Sequence, residues 1–176
     1  MSVLAIFLVA ISLSMDAFSL SLAYGTVGLS SKNSYIISIS VGILHFLMPI
    51  IGTIFGTILL KILPFSPKII AGLTLIGLGI EMVYSQKNND AVKEMTSIFS
   101  IILFSISVSI DSLVLGINLK LTNTNIYLAS TIFMLVSGVF TYLGLKLGKK
   151  INIALGNIST IIGGIILIIL GLFYLK

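Results

Sequence analysis

Six long apolar runs dominate this sequence and limit the folds that it can adopt. They cover residues 3–24, 36–60, 69–85, 97–118, 126–145 and 154–175. Each run is close to the roughly 20 residues that a helix needs to cross the hydrocarbon core of a bilayer. The runs are continuous rather than alternating, which excludes a transmembrane β-barrel. The sequence therefore predicts an all-α membrane protein with six transmembrane helices.

The composition supports a membrane protein and excludes several other classes. The chain is 57% hydrophobic and only 9% charged, whereas a soluble domain of 176 residues needs many more charges. A net charge of +5 would suggest nucleic acid as the partner of a soluble protein. Here the lysines stand at the ends of apolar runs, so we expect them to contact the lipid bilayer and no nucleic acid. The absence of cysteine excludes a thiolate metal site.

Polar or turn-forming segments separate the apolar runs. Pro67 suits the first turn of the third helix. We expect the glycines of the later runs to be close-packing positions between helices. The segments are TVGLSSKNS, KILPFSPK, SQKNNDAVKEM, KLTNTN and KLGKKIN. The glycines are Gly52, Gly56, Gly72, Gly77, Gly79, Gly144, Gly148, Gly163 and Gly164.

The second half of the chain repeats the first half. The segment SLSMDAFSL (12–20) aligns with SVSIDSLVL (107–115), which places Asp16 over Asp111. The segment IAGLTLIGLG (70–79) aligns with IGGIILIILG (162–171). Three helices per half is an odd number, so the two halves must cross the membrane in opposite directions.

These observations predict a single integral membrane domain, residues 1–176, built from two inverted three-helix repeats. The first repeat covers residues 1–86, the linker covers 87–96, and the second repeat covers 97–176. Inverted repeats are common in secondary transporters, which bind their substrate near the bilayer midplane where the repeats meet.

The two aligned aspartates are the strongest candidates for a binding site. An aspartate at the centre of a spanning helix costs about 2.5–3.5 kcal/mol, so it must face the bundle interior or a wet cavity. Helical spacing sets polar oxygen atoms beside each carboxylate. Ser12 and Ser19 share the face of Asp16, and Ser107 and Asn118 share the face of Asp111. The alternative for either aspartate is a structural role in a polar cluster that holds helices together.

Two neighbouring carboxylates repel each other, and either a shared proton or a divalent cation relieves the repulsion. Oxygen ligands without thiolate suit Mn²⁺, Mg²⁺ or Ca²⁺ rather than Zn²⁺ or Cu⁺. Met15, next to Asp16, would be a softer ligand or would pack against lipid or a neighbouring helix. Ser14 and Ser109 lie on the other side of their helices, where we expect them to bond back to their own backbone.

Three further polar or special residues lie inside apolar runs. His45 is the only histidine, and it is either a proton carrier or metal ligand, or an interhelical hydrogen-bonding group. Pro49 leaves a backbone carbonyl near His45 without its helical donor, and that carbonyl could serve an ion. Glu81 is one turn from the end of the third run, and we expect its side chain to extend toward the interface.

The segments SMDAFSLSLAYG, GILHFLMPIIG and SVSIDSLVLGI resemble the signature segments of MntP-type manganese exporters, which are small six-helix pumps of bacterial inner membranes. The resemblance covers nearly the whole chain. It implies efflux of Mn²⁺ by a transporter that is not an enzyme, with Mn²⁺ as the transported substrate and no cofactor. It also implies that membrane aspartates are the central functional groups, and these fall on Asp16 and Asp111.

Two alternatives remain open at the level of the sequence. The first is an exporter of another divalent cation or of a small solute, although an amino acid would need a basic partner that no apolar run supplies. The second is a non-transporting, sporulation-type membrane protein of the same superfamily. No GxxxxGK[ST] motif is present, so we expect transport to be driven by the proton gradient or the membrane potential.

The lysines predict the orientation of the chain in the membrane. Six of them fall on the side of loops one, three and five, and four on the other side, so the first side is predicted to be cytoplasmic and both termini extracytoplasmic. Reporter fusions at Lys87 and Lys176 should therefore report opposite compartments, with Lys87 inside. A cytoplasmic reporter at Lys176 would reverse the orientation.

Overall fold

The computed structural model describes residues 2–62, 67–85, 97–121, 124–155 and 157–175, and these residues form helices joined by short turns. Every predicted apolar run corresponds to one helix, which confirms the all-α class. The predicted linker and most of the KILPFSPK segment lie outside the described residues. The helices are α1 (Val3–Gly25), α2 (Ser31–Ile62), α3 (Pro67–Ser85), α4 (Ile98–Leu121), α5 (Ile126–Leu155) and α6 (Asn157–Leu175).

Short polar side chains begin four of these helices. Each supplies an oxygen that accepts a hydrogen bond from a backbone N–H of the first turn, which has no partner inside the helix. Pro67 begins α3, as the sequence predicted. The capping bonds are Ala5 N to Ser2 Oγ (3.3 Å), Asn33 N to Ser30 Oγ (3.2 Å), Ser100 N to Ser97 Oγ (3.2 Å) and Leu128 N to Asn125 Oδ1 (3.2 Å).

Two boundaries differ from the sequence prediction. The second helix begins at Ser31 rather than residue 36, because Ser30 caps it. The predicted break at KLGKKIN is wrong, since α5 continues through it to Leu155. Lysine, leucine and isoleucine are compatible with a helix, and no proline stops it. Gly148 within this segment also packs directly on the backbone of α1 at Leu22 and Gly25.

In the part of the chain that the structure describes, four helices are long and apolar enough to cross a membrane: α1, the first part of α2 (Ser31–Ile54), the first part of α4 (Ile98–Gly116) and α5. Within the described residues, α3 and α6 contribute shorter apolar stretches, Leu75–Tyr84 and Thr160–Phe173. Large apolar side chains cover much of the outer surface, as suits contact with lipid.

The helices pack in pairs, with α1 on α5, α2 on α4 and α3 on α6, while α2 also packs on α5 at the centre. Contacts between α1 and α4 are few. The contacts at Phe18–Gly144 and Leu22–Gly148 show that α1 and α5 run parallel. In the third pair, Gly72 meets Gly171 and Gly79 meets Gly164, so α3 and α6 run antiparallel.

Glycine is required where two helix backbones touch. A Cβ atom on Gly79 would lie 2.5 Å from the Gly164 carbonyl oxygen, and one on Gly72 would lie 2.7 Å from that of Gly171. Small residues allow such close approach, which provides packing energy inside a membrane. Gly77 is an exception to the predicted close-packing role, because a Cβ there would meet nothing within 4 Å.

The interior contains many hydroxyl groups as well as apolar side chains. Tyr24 and Phe104 stack at a ring-centroid distance of 4.4 Å in the larger of two apolar clusters. Among the described residues, His45 is the only buried side chain that can titrate near neutral pH. The buried hydroxyl-bearing residues are Ser14, Ser21, Thr26, Ser34, Ser38, Ser100, Ser105, Ser107, Ser109, Ser112, Ser130, Ser137, Thr141 and Thr160.

Two of the three glycines of α3, Gly77 and Gly79, provide a matched test of helix packing. Gly79→Ala should destabilise the protein by about 1–3 kcal/mol, because its methyl group would overlap the α6 backbone. Gly77→Ala adds the same methyl group in open space, and it should leave stability unchanged or raise it by about 0.5–1 kcal/mol through helix propensity. Thermal loss of helical circular dichroism in detergent measures both. Equal midpoints for the two variants would contradict the tight crossing of α3 and α6.

Candidate functional site

A polar stripe interrupts the apolar outer face of α1. Ser12, Met15, Asp16 and Ser19 all lie on this exposed face, and Met15 is 51% exposed. An exposed carboxylate flanked by hydroxyl groups is poorly suited to lipid contact. The stripe therefore identifies the part of α1 that needs water, an ion or another polar group beside it.

The hydroxyl groups of this stripe leave their oxygen atoms available. Ser12 Oγ donates to the Leu8 carbonyl at 3.1 Å, and Ser19 Oγ donates to the Met15 carbonyl at 2.9 Å. A hydroxyl that donates its proton to the backbone still has lone pairs that can accept a hydrogen bond or bind a cation. Both serines can thus serve as oxygen ligands beside Asp16.

The second aspartate lies on α4 and is half-buried. Asp111 is close enough to Asp16 for the two carboxylates to interact electrostatically. Ser107 is buried and donates to the Leu103 carbonyl at 2.8 Å. The side chain of Asn118 lies outside the described part of the structure. Of the residues predicted on α4, Asp111 is thus the one that the structure brings within electrostatic range of Asp16.

His45 is fully buried between α2 and α4. Its Nδ1 atom is 2.9 Å from the Val41 carbonyl oxygen and 2.9 Å from Ser109 Oγ. A carbonyl oxygen only accepts hydrogen bonds, so Nδ1 carries the proton in the neutral ring. The other ring atom, Nε2, then presents a lone pair, and it has no hydrogen-bond partner in the described structure. His45 can therefore accept a proton or bind a metal ion through Nε2.

The two buried serines beside the aspartates behave differently. Ser14 Oγ contacts the Ala10 carbonyl at 2.6 Å, as the sequence predicted, and also Ser137 Oγ at 2.9 Å. The prediction that Ser109 bonds back to its own helix is wrong, because its hydroxyl instead contacts His45. Burial against α2 places Ser109 within reach of a stronger partner than its own backbone.

Ser137 is the residue that sequence reasoning missed. The alignment that places Gly52 over Gly144 also places His45 over Ser137. The Ser14–Ser137 contact joins α1 to α5, and the Ser109–His45 contact joins α4 to α2. Extending the glycine alignment back by two helical turns would have indicated this pair.

Close helix crossings lie beside both aspartates. On α4, the Leu113 carbonyl faces Gly52, and Gly116 faces the Pro49 carbonyl. Pro49 lies inside the continuous α2, so the His45 carbonyl lacks the N–H donor that another residue would provide at position 49. These contacts hold the backbone of α4 against α2 at Leu113 and Gly116, two and five residues beyond Asp111.

Glu81 is half-buried on α3 and within electrostatic range of the buried Tyr24. Across the described ranges, no three histidine, aspartate or glutamate side chains cluster closely enough to hold a metal ion. A divalent ion between Asp16 and Asp111 would therefore complete its coordination with serine or carbonyl oxygens and water, which suits hard cations.

These features define a class of protein, a multi-pass α-helical membrane protein with hydroxyl groups and carboxylates within its apolar helices. The chain belongs to the family described as "Putative manganese efflux pump", which matches residues 28–175. The members of this family are transporters rather than enzymes.

Curated relatives cover nearly the whole chain. A protein of Bacillus velezensis named "Putative manganese efflux pump MntP" is 35% identical over 166 residues, which is 94% of this chain and 90% of the relative. Proteins of the same name from Bacillus thuringiensis and Bacillus anthracis are each 33% identical over 169 residues, covering 96% of this chain and 93% of theirs. No solved structure matches the chain.

Proposed function

We propose that this protein exports Mn²⁺ across the bacterial cytoplasmic membrane through a midplane site to which each half of the chain contributes one aspartate. Asp16 and Asp111 occupy aligned positions of the two halves, and their carboxylates interact electrostatically. The placement of these two aspartates on helices that contact each other, α1 and α4, is the observation on which the proposal rests. Membership of the family supports manganese as the ion. In this proposal both termini are extracytoplasmic.

The helix pairs support the inverted-repeat part of the proposal. A two-fold relation between the halves would exchange α1 with α4, α2 with α5 and α3 with α6. The α1–α5 pair would then correspond to the α4–α2 pair, and the α3–α6 pair would correspond to itself. Phe18 meets Gly144 in the first pair, and Leu113 meets Gly52 in the second, with both residues of one contact aligned to those of the other.

The polar contacts repeat in the same way. Ser14 contacts Ser137, and the aligned residues Ser109 and His45 also contact each other. The aligned partner residues differ in chemistry, since Ser137 supplies a hydroxyl and His45 supplies an imidazole. The Ser109–His45 contact therefore contains a group that can take up a proton, and the Ser14–Ser137 contact does not.

The site binds a divalent cation because two carboxylates neutralise an ion that has lost part of its water shell. Neither aspartate alone balances two positive charges, and the hydroxyl oxygens of Ser12 and Ser19 replace water ligands without adding charge. When the ion leaves, the paired negative charges attract protons. This exchange couples efflux of the metal to uptake of protons.

Release to the other side requires that the two halves move against each other. Contacts between α1 and α4 are few, whereas each of these helices is held to its partner by glycine crossings. The α1–α5 pair and the α4–α2 pair can therefore rock as units about the α2–α5 contact, which would alter the access to Asp16 and Asp111. Rocking of repeats around a fixed site is the usual form of alternating access.

Substitution of the aspartates tests the proposal. Asp16→Asn and Asp111→Asn should each abolish Mn²⁺ efflux from loaded vesicles, because an amide keeps the shape and one oxygen but loses the charge. The double variant should be no worse than either single variant, since residues that act as a unit are not additive. Aspartate-to-glutamate variants should retain more efflux than the asparagine variants.

Cells provide the control for protein level and for the identity of the ion. A deletion strain should accumulate manganese, and the wild-type gene, but neither asparagine variant at equal membrane abundance, should restore the normal content. Near-normal efflux in either asparagine variant would reduce that aspartate to a structural contact. Unchanged manganese with altered zinc or magnesium in the deletion strain would replace Mn²⁺ by another cation.

His45 should modulate efflux rather than enable it. Glutamine at this position keeps a hydrogen-bonding side chain for Ser109 but cannot become cationic near neutral pH. His45→Gln should therefore change the pH dependence of Mn²⁺ efflux and leave measurable transport, whereas Ser137→Ala, at the aligned position, should leave the pH dependence unchanged. Complete loss of efflux in a normally inserted His45→Gln protein would make His45 an essential ligand or proton carrier.

A further inference from the structure

An apolar groove runs along the outer surface between α2 and α5, away from the aspartates. It encloses about 450 Å³ and is lined by apolar and aromatic side chains from both helices. Gly42 and Gly138 line it where the two backbones approach most closely, and the absence of side chains at these positions makes room for the groove. We call this feature the α2–α5 groove.

The groove has the dimensions of a site for one acyl chain. Along α2 it extends from Tyr35 to Ile43, which is about 12 Å at the helical rise of 1.5 Å per residue. One leaflet of the hydrocarbon core is roughly 15 Å thick. Its volume also falls within the roughly 300–1,000 Å³ of ordinary ligand pockets.

One end of the groove opens onto a cluster of positive charge. Tyr142 lines both the groove and a second cavity of about 210 Å³, whose lining includes Lys146, Lys149 and Lys150. Ser31 and Ser34, at the start of α2, and Ile153 also line this cavity. No carboxylate is among its lining residues in the described structure.

Two tyrosines mark the boundary between the apolar and the charged part. The rings of Tyr35 and Tyr142 stack at a centroid distance of 4.7 Å, and Lys146 Nζ lies 5.9 Å from the Tyr142 ring centroid. Tyrosine is typical of the level where hydrocarbon meets the head groups. One face of α5 thus changes along its length from apolar (Leu135, Val139) to aromatic to cationic, because these residues recur at helical spacing.

We propose that this composite surface binds an anionic phospholipid, with an acyl chain in the α2–α5 groove and the phosphate on Lys146, Lys149 and Lys150. The surface changes from apolar to aromatic to positively charged along its length. This order matches the acyl chain, the glycerol region and the negative head group of such a lipid. A zwitterionic lipid would fill the groove equally well but would leave the three lysines without a net countercharge. Basic pockets between membrane helices recognise anionic head groups in this way.

The site does not depend on the proposed transport function, so its test measures lipid binding alone. The chain contains no tryptophan, so Ile43→Trp places a single fluorophore at the far end of the groove. The full-length protein is reconstituted in phosphatidylcholine vesicles that contain a minor fraction of phosphatidylglycerol, with bromine on the chains of one lipid or the other. Bromine quenches only a fluorophore that it contacts.

Brominated phosphatidylglycerol should quench the Ile43→Trp fluorescence far more than its share of the bilayer predicts. Replacing Lys146, Lys149 and Lys150 by glutamine should remove this preference, with roughly fivefold weaker binding for each charge lost. Lys32→Gln is the matched control, since Lys32 is at the same end of α2 but does not line the cavity, and it should change little. Ile102→Trp, on the apolar outer face of α4, should show no preference in either background.

Three results would overturn the proposal. Equal quenching by the two brominated lipids at Ile43→Trp would make the groove a non-selective lipid contact. A preference that survives the three lysine substitutions would move the head group elsewhere. Weak quenching by both lipids, together with a dimer that cross-links through the groove, would assign the groove to a second copy of the chain.

Discussion

A charged carboxylate has no favourable position in hydrocarbon, and this constraint explains most of the arrangement around Asp16. Burying the charged carboxylate in an apolar core would cost more free energy than leaving it exposed beside polar groups. The outer face of α1 accordingly changes from apolar to polar at Ser12 and remains so through Ser19. Asp111 lies on α4, a helix that touches α1 at few points, and its charge acts on the Asp16 carboxylate.

The same absence of water determines how the helices hold together. Lipid is as apolar as leucine, so helices in a bilayer gain little from simple hydrophobic contact and depend on close packing. Glycines at the α1–α5, α2–α4 and α3–α6 crossings bring backbones into direct contact. In the proposed mechanism such pairs move as units, and the sparse contacts between α1 and α4 are where this movement costs least.

Polar groups in the interior are also constrained by the absence of water, because their hydrogen-bond partners must come from the protein. Several buried hydroxyls, including those of Ser38, Ser107 and Ser112, donate to a carbonyl of their own helix, which satisfies them without a partner on another helix. Ser14 and Ser109 also reach other helices, since Ser14 contacts Ser137 on α5 and Ser109 contacts His45 on α2. The imidazole of His45 makes the second contact different in kind, because its Nε2 atom remains available for a proton or an ion. The two contacts thus differ in chemistry, although the residues that form them occupy aligned positions of the sequence.

Part of the fold and of the candidate site could be predicted from the sequence alone. The long apolar runs determine the all-helical class, since a bilayer requires every backbone group to be satisfied within its own segment. Capping serines and Pro67 fix several helix starts, because their chemistry acts within one turn. The two aspartates also stand out without any structure, since a charge in an apolar run is costly. The end of α5 was mispredicted, because the polar segment KLGKKIN suggests a break locally, whereas the helix continues through it to Leu155.

The sequence by itself thus determined the helices, their number and the residues whose charge is costly in an apolar solvent. Only the tertiary structure decided which side chains meet. Ser137 reaches Ser14, and His45 reaches Ser109, across more than sixty positions of sequence in each case. The sequence alone predicts that the three lysines of α5 are interfacial anchors. They lie beside a groove of ligand size only because α2 packs next to α5. The residues of each segment determine that it forms a helix, but the contacts between helices depend on packing that no single segment encodes.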